Sequence, residues 1–127
     1  MKEKFVIQVL LKTSAKVLES KISTPAGLGE WFCEDVNERE GHYFFKWDNH
    51  EEKAALLAHK PFQFIRFKWS EDEENNLDTF FEIATEKDAL TSNITLVITD
   101  FSYPEDKDNS VMMWEQQIVK LRRLIGS

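Results

Sequence analysis

"ISTPAGLGEWFCEDV", residues 22–36, gathers the only cysteine, the adjacent Trp31 and Phe32, and two of the chain's four glycines. Glycine and proline this close together punctuate the backbone, so the stretch predicts a short, closely packed element. Ser23 or Thr24 is placed to cap a helix that carries Pro25 in its first turn, where a missing N–H costs little. The small residues at 26, 27 and 29 are expected to let this helix approach a sheet closely, with Leu28 on it and Trp31 and Phe32 packed at its C-terminal end. A short helix leaning over an interior fits these residues better than a catalytic turn does.

Upstream, "KFVIQVLLK" (4–12) sets Phe5, Ile7, Val9 and Leu11 against Val6, Gln8, Leu10 and Lys12, a strand with one better buried face. Thr13 and Ser14 are candidate N-caps for a first short helix, with Ala15, Leu18 and Ile22 at helical spacing. Downstream, from residue 33 to residue 101, the period becomes two, with turn residues at intervals of roughly ten, the pattern of an antiparallel meander. "HYFFKW", "FIRFKW", "LDTFFEIAT" and "NITLVITDF" each read as strands. "EEKAALLAHK" (51–60) has helical composition, but it lies between strands with Pro61 after it, and a strand is expected there. "SEDEENN" reads as an acidic loop, and Asp100 and this loop as solvated surface. After Pro104 a 3.6 period returns: Val111, Trp114, Ile118, Leu121 and Ile125 form one stripe of a long C-terminal helix, with acidic residues near its start and basic ones near its end.

The 127 residues, 42% hydrophobic and 13% aromatic, suffice for one core, and a single domain over 1–127 is expected. Sixteen Lys and Arg against 23 Asp and Glu give a formal charge of -7, which argues against nucleic acid and anionic membrane surfaces as partners. Cys33 alone forms no internal disulfide, and the N-terminal apolar run is too short and interrupted for a signal peptide or a membrane span. A cytoplasmic location is the expectation.

An order of strand, two short helices, about six further antiparallel strands and a long helix resembles the helix-grip fold of the START-like superfamily. Within it, the chain is similar to the activator of heat-shock ATPase homologues and to START-like domains of Bacteroidetes. The residues that carry the resemblance are "ISTPAGLGEWFCEDV" (22–36), "FIRFKW" (64–69), "LTSNITLVITDF" (90–101) and Trp114 in "MMWEQQIVKLRRLI" (112–125). The resemblance implies an α+β fold, with a curved antiparallel sheet of about six or seven strands gripping the C-terminal helix on its concave face. It also implies that the segment around Trp31 forms one wall of a cavity entrance.

The expected cavity walls are Trp31, Phe45, Trp47, Phe67, Trp69, Phe81, Ile98, Trp114 and Ile118, which equally suit a filled core. Which side of each strand faces inward stays open, because a bulge would exchange the two faces. Arg66 is expected to pair across strands with Glu82 on the surface, the alternative being an inward arginine that meets an anion. Cys33 has no histidine at a familiar spacing, and His42, His50 and His59 make no zinc pattern, so an inert thiol, no metal and no cofactor are expected. No phosphate loop, nucleophile elbow or paired-acid motif is present. These readings favour a non-enzymatic domain that encloses a small hydrophobic or amphipathic ligand. The alternatives are a protein-interaction module, such as a chaperone accessory factor or a homodimer, and a cyclase- or hydrolase-type enzyme.

Overall fold

The computed structural model describes residues 1–127. β1 (Glu3–Leu11) is followed by helices α1 (Ala15–Ile22) and α2 (Pro25–Leu28). Strands β2 (Asp35–Arg39), β3 (His42–Trp47), β4 (His50–Lys60) and β5 (Phe64–Trp69) then lead to a short helix α3 (Ser70–Glu74). β6 (Phe81–Lys87), β7 (Ile94–Ser102) and the 19-residue helix α4 (Lys107–Ile125) complete the chain. The strands form one antiparallel sheet in the order β1-β7-β6-β5-β4-β3-β2, so the only non-sequential neighbours are β1 and β7. This is the expected α+β helix-grip arrangement.

Residue alternation along the strands fixes the faces. Phe5 and Leu11, Tyr43 and Phe45, Ile65 and Phe67, Phe81 and Ile83, and Ile94, Leu96 and Ile98 are all buried on the inner side. Trp114, Ile118 and Leu121 of α4 are buried with them. The one register shift falls between Leu56 and Ala58 of β4, opposite β5, and leaves the β5 alternation intact. Arg66 therefore points outward, where its guanidinium donates to Glu82 at 2.7 and 2.9 Å and lies 4.6 Å from the centre of the Phe80 ring. The 51–60 segment is a strand despite its composition, because β3 pairs with its first half and β5 with its second, overlapping at Ala54 and Ala55.

The opening stretch works differently from expectation in one respect. Gly27 faces α1: a Cβ there would collide with the Ser20 carbonyl oxygen and lie 2.8 Å from the Lys21 Cα. The tight approach is helix to helix, while Gly29 has only ordinary clearance to Val36 of β2. Its logic is the C-terminus of α1, whose last carbonyls lack helical partners. The Ser23 hydroxyl donates to Glu19 at 2.6 Å, the Thr24 hydroxyl to Ser20 at 3.0 Å, and the Trp31 indole to Lys21 at 2.9 Å. Thr24 is also the cap of α2, accepting from the Gly27 N–H at 2.9 Å, as Ser14 caps α1 by accepting from Val17 at 3.1 Å.

"SEDEENN" is corrected as well. Residues 70–74 form α3, whose first turn holds Glu71, Asp72 and Glu73, where acidic groups favour the helix dipole. The far end of the fold is pinned by α4. Gly126 closes the helix at φ 74, Arg122 donates to the Leu10 carbonyl at 3.1 Å, and the Ser127 hydroxyl accepts from the Lys12 N–H at 2.9 Å.

Gly27→Ala is expected to destabilise the protein by about 2–3 kcal/mol, since backbone must move to admit one methyl group. A chemical denaturation midpoint equal to wild type would show that α1 and α2 can separate freely.

Candidate functional site

Phe32 lies in the turn after α2 and is held at the centre of an aromatic cluster. Its ring centre lies 5.1 Å from Phe45, 5.4 Å from Trp47, 5.7 Å from Phe81 and 5.1 Å from Trp114. Its carbonyl oxygen accepts from the Trp47 indole at 3.2 Å and from the Gln117 side-chain amide at 2.8 Å. β3, α4 and the helix pair are thus joined at one residue. Phe67, Phe81 and Trp69 continue the cluster across the sheet, with ring centres 5.0 Å apart for Phe67 and Phe81 and 4.7 Å for Trp69 and Phe81.

The cluster fills one end of the space between sheet and α4, and the other end is open. There a cleft of about 440 Å³ is bounded by Phe32, Trp47, Trp69, Phe101, Met113 and Trp114. Of the residues expected to wall a cavity, Trp47, Trp69 and Trp114 border this cleft. Trp31, Phe45, Phe67, Phe81, Ile98 and Ile118 are buried in the core behind it. The aromatic periodicity finds both groups and cannot separate them.

Sequence reasoning missed the polar end of the cleft. Lys2, Asp72, Asp100, Ser110 and Gln117 all border it, and Asp72 and Asp100 are not the solvated surface groups expected of them. Asp100 lies within β7, where alternation from Leu96 and Ile98 turns it inward. It accepts from the Trp114 indole at 2.8 Å and from the Phe101 N–H at 2.7 Å. Asp72 is 5% exposed, accepts from the Thr79 hydroxyl at 2.6 Å and pairs with Lys2 at 2.9 Å. The alternating strand before Asp100 carried the signal for its inward direction; nothing in the sequence signalled Asp72.

Burial pushes the Asp100 carboxyl up from 3.8 to about 6, with nearby Asp72 acting in the same direction. Its hydrogen bonds from Trp114 and Phe101 and the charge of Lys2 restrain the rise. Cys33, by contrast, carries no chemistry in reach. Desolvation raises its thiol to about 11, and its sulfur donates to the Asp35 carbonyl at 3.2 Å.

A seven-stranded antiparallel sheet gripping a long C-terminal helix defines the class of α+β helix-grip folds. Within that class the sequence is specific: the model of the START-like superfamily domain matches residues 1–127, and the chain belongs to that superfamily. A Bacteroides fragilis protein solved by NMR in solution is 36% identical, with 97% of this chain and 90% of that chain covered and a TM-score of 0.65. The Aha1 dimer from Colwellia psychrerythraea shares the fold at 14% identity and a TM-score of 0.73, covering 97% of this chain and 93% of that one. A Mesorhizobium loti protein does so at 16% identity and a TM-score of 0.78, covering 98% and 97%. No curated protein matches the chain. No helix is long and apolar enough to cross a membrane.

The position of Asp100 has a measurable consequence. An acid that holds its proton more tightly when folded contributes full stability below its ordinary value of 3.8 and loses it as pH rises through about 6. Asp100→Asn keeps an acceptor for the Trp114 indole but removes the titration. The urea midpoint of this variant relative to wild type is expected to rise between about pH 4 and pH 7. A difference that stays flat over that range would place the carboxylate in water.

Proposed function

We propose that this domain holds a small amphipathic molecule in the cleft between the sheet and α4. The observation that carries the reading is the composition of that cleft. About 440 Å³ is walled by four large aromatic rings, Phe32, Trp47, Trp69 and Trp114, and ends in two carboxylates, the buried Asp72 and the half-buried Asp100. Ligand sites are commonly apolar concavities of this size with a few convergent polar groups. Apolar burial supplies affinity at about 25 cal/mol per Å² removed from water, and the polar end sets orientation. The rigidity of the walls helps, since Trp47 and Trp114 are each held by an indole hydrogen bond before any ligand arrives.

A second reading, a protein-interaction module or homodimer, is favoured by the outer face of α4. Met112 and Val119, seven residues apart on that face, are 54% and 46% exposed. The related fold from Colwellia psychrerythraea is itself described as a dimer. An enzymatic role would need the cleft carboxylates to meet a substrate, and the ligand-binding reading includes that step without requiring it.

Titration with N-phenyl-1-naphthylamine, a neutral amphiphile that fluoresces in apolar surroundings, separates these readings. Wild type is expected to give a saturable, blue-shifted signal that Ser110→Trp, which fills the cleft from α4, abolishes while leaving the circular dichroism unchanged. No saturable signal, or one untouched by Ser110→Trp, would reject the cleft as the site. Native mass spectrometry of the same samples reports the assembly, and a mass at twice the monomer would move weight to the second reading.

A further inference from the structure

We infer that the cleft selects a small organic cation, an ammonium group carried on an apolar body, and holds it between tryptophan rings and carboxylates. The inference rests on the ligand-binding reading and adds the charge of the ligand. Two independent features of the cleft converge on it.

The first is the aromatic lining. Trp47 and Trp69 have ring centres 6.1 Å apart, and Phe32 lies 5.4 Å from Trp47 and 5.1 Å from Trp114. The part-exposed indoles of Trp47 and Trp69, backed by the buried rings of Phe32 and Trp114, offer the electron-rich surfaces that attract organic ammonium groups, and tryptophan is the strongest of these partners. The same rings would serve a neutral ligand, so they define a cage without fixing its charge.

The second is the balance of charge. Asp48, Glu52, Glu71, Asp72 and Asp100 border the cleft against a single lysine. That lysine, Lys2, is already engaged at 2.9 Å by Asp72. His50 leans toward Glu52, with Nε2 3.7 Å from the carboxylate, and stacks on Trp47 with ring centres 6.0 Å apart. No free cation is left to receive an anionic ligand. An anion would have to be buried beside Asp100 and Asp72 unpaired, whereas an ammonium would find acceptors there and at the mouth. Carboxylates in a low-dielectric concavity also focus their field on whatever enters. One pleat beyond Asp100 on the same face of β7, Ser102 is 6% exposed and its hydroxyl has no partner.

The test uses three ligands of one shape and different charge: 2-phenylethylamine, 2-phenylethanol and 3-phenylpropionate, titrated at pH 7.5 into isotopically labelled protein. The indole N–H signals of Trp47, Trp69 and Trp114 report the cleft. Trp31, whose indole is tied to the Lys21 carbonyl, serves as the internal control. The amine is expected to bind about tenfold or more tighter than the alcohol, with the acid weakest. Glu52→Gln with Glu71→Gln, two changes at the mouth, is expected to weaken the amine more than the alcohol. Equal affinities, or a preference for the alcohol or the acid, would overturn the charge assignment while leaving the ligand-binding reading in place. So would an amine that leaves these signals unmoved in a protein that binds N-phenyl-1-naphthylamine. If that amphiphile and all three ligands fail to bind, the underlying reading fails with it.

Discussion

Phe32 is the constraint on which the rest of the structure depends. It sits where the backbone leaves α2 for β2, and everything that must be brought together meets it. Its ring packs on β3, β6 and α4, and its carbonyl takes hydrogen bonds from Trp47 on the sheet and Gln117 on the helix. A buried carbonyl without partners would cost free energy, so these two donors set how far the sheet and α4 stand apart. The glycine at 27 matters for the same reason. By letting α2 lie against α1, it delivers Phe32 to the interior at the depth where both donors can reach it.

The cleft follows from where that cluster stops. Aromatic rings fill the space between sheet and helix from Phe67 through Phe45 and Phe81 to Phe32. Beyond Phe32 the inward positions of β7 change from Leu96 and Ile98 to Asp100 and Ser102, and packing gives way to polar groups. Buried carboxylates are costly unless they are paired or hydrogen-bonded. Here the Trp114 indole, Lys2 and Thr79 provide most of the compensation. Trp114 has a double role: its ring closes the aromatic cluster, and its N–H satisfies Asp100. The fold of a superfamily that serves many functions is thereby given one particular surface, and that surface carries the functional argument.

Most strands, the two capping regions and the stripe of α4 were legible because each is a local matter of spacing and side-chain chemistry; β2, with a single buried residue, was not. Ser14, Thr24 and Pro25 act where their chemistry places them. The inward faces of β3, β5 and β6 follow alternation, and the outward Arg66–Glu82 pair follows with them. The candidate site was half legible. Trp47, Trp69 and Trp114 were recognisable as inward aromatics, but so were Phe45, Phe67 and Phe81, which face the same way and meet only other rings. Asp72 was hidden by its neighbours, since Glu71, Glu73 and Glu74 are solvated and it alone faces inward from one short turn of helix. Its partners Lys2 and Thr79 lie 70 and 7 residues away in sequence.

By itself the sequence determined most of the elements and their order, β2 and α3 excepted, because hydrogen-bonding periodicity and capping act over a few residues. It also determined the excess of acidic over basic groups and the identity of the aromatic set. Tertiary structure decided which glycine presses on which backbone, which aromatics border space and which border one another, and which of many carboxylates leave water. Those outcomes depend on the distance between sheet and helix, a quantity set by contacts such as Phe32 to Gln117 across 85 residues. No local pattern encodes a separation of that kind, since it exists only once both surfaces have packed.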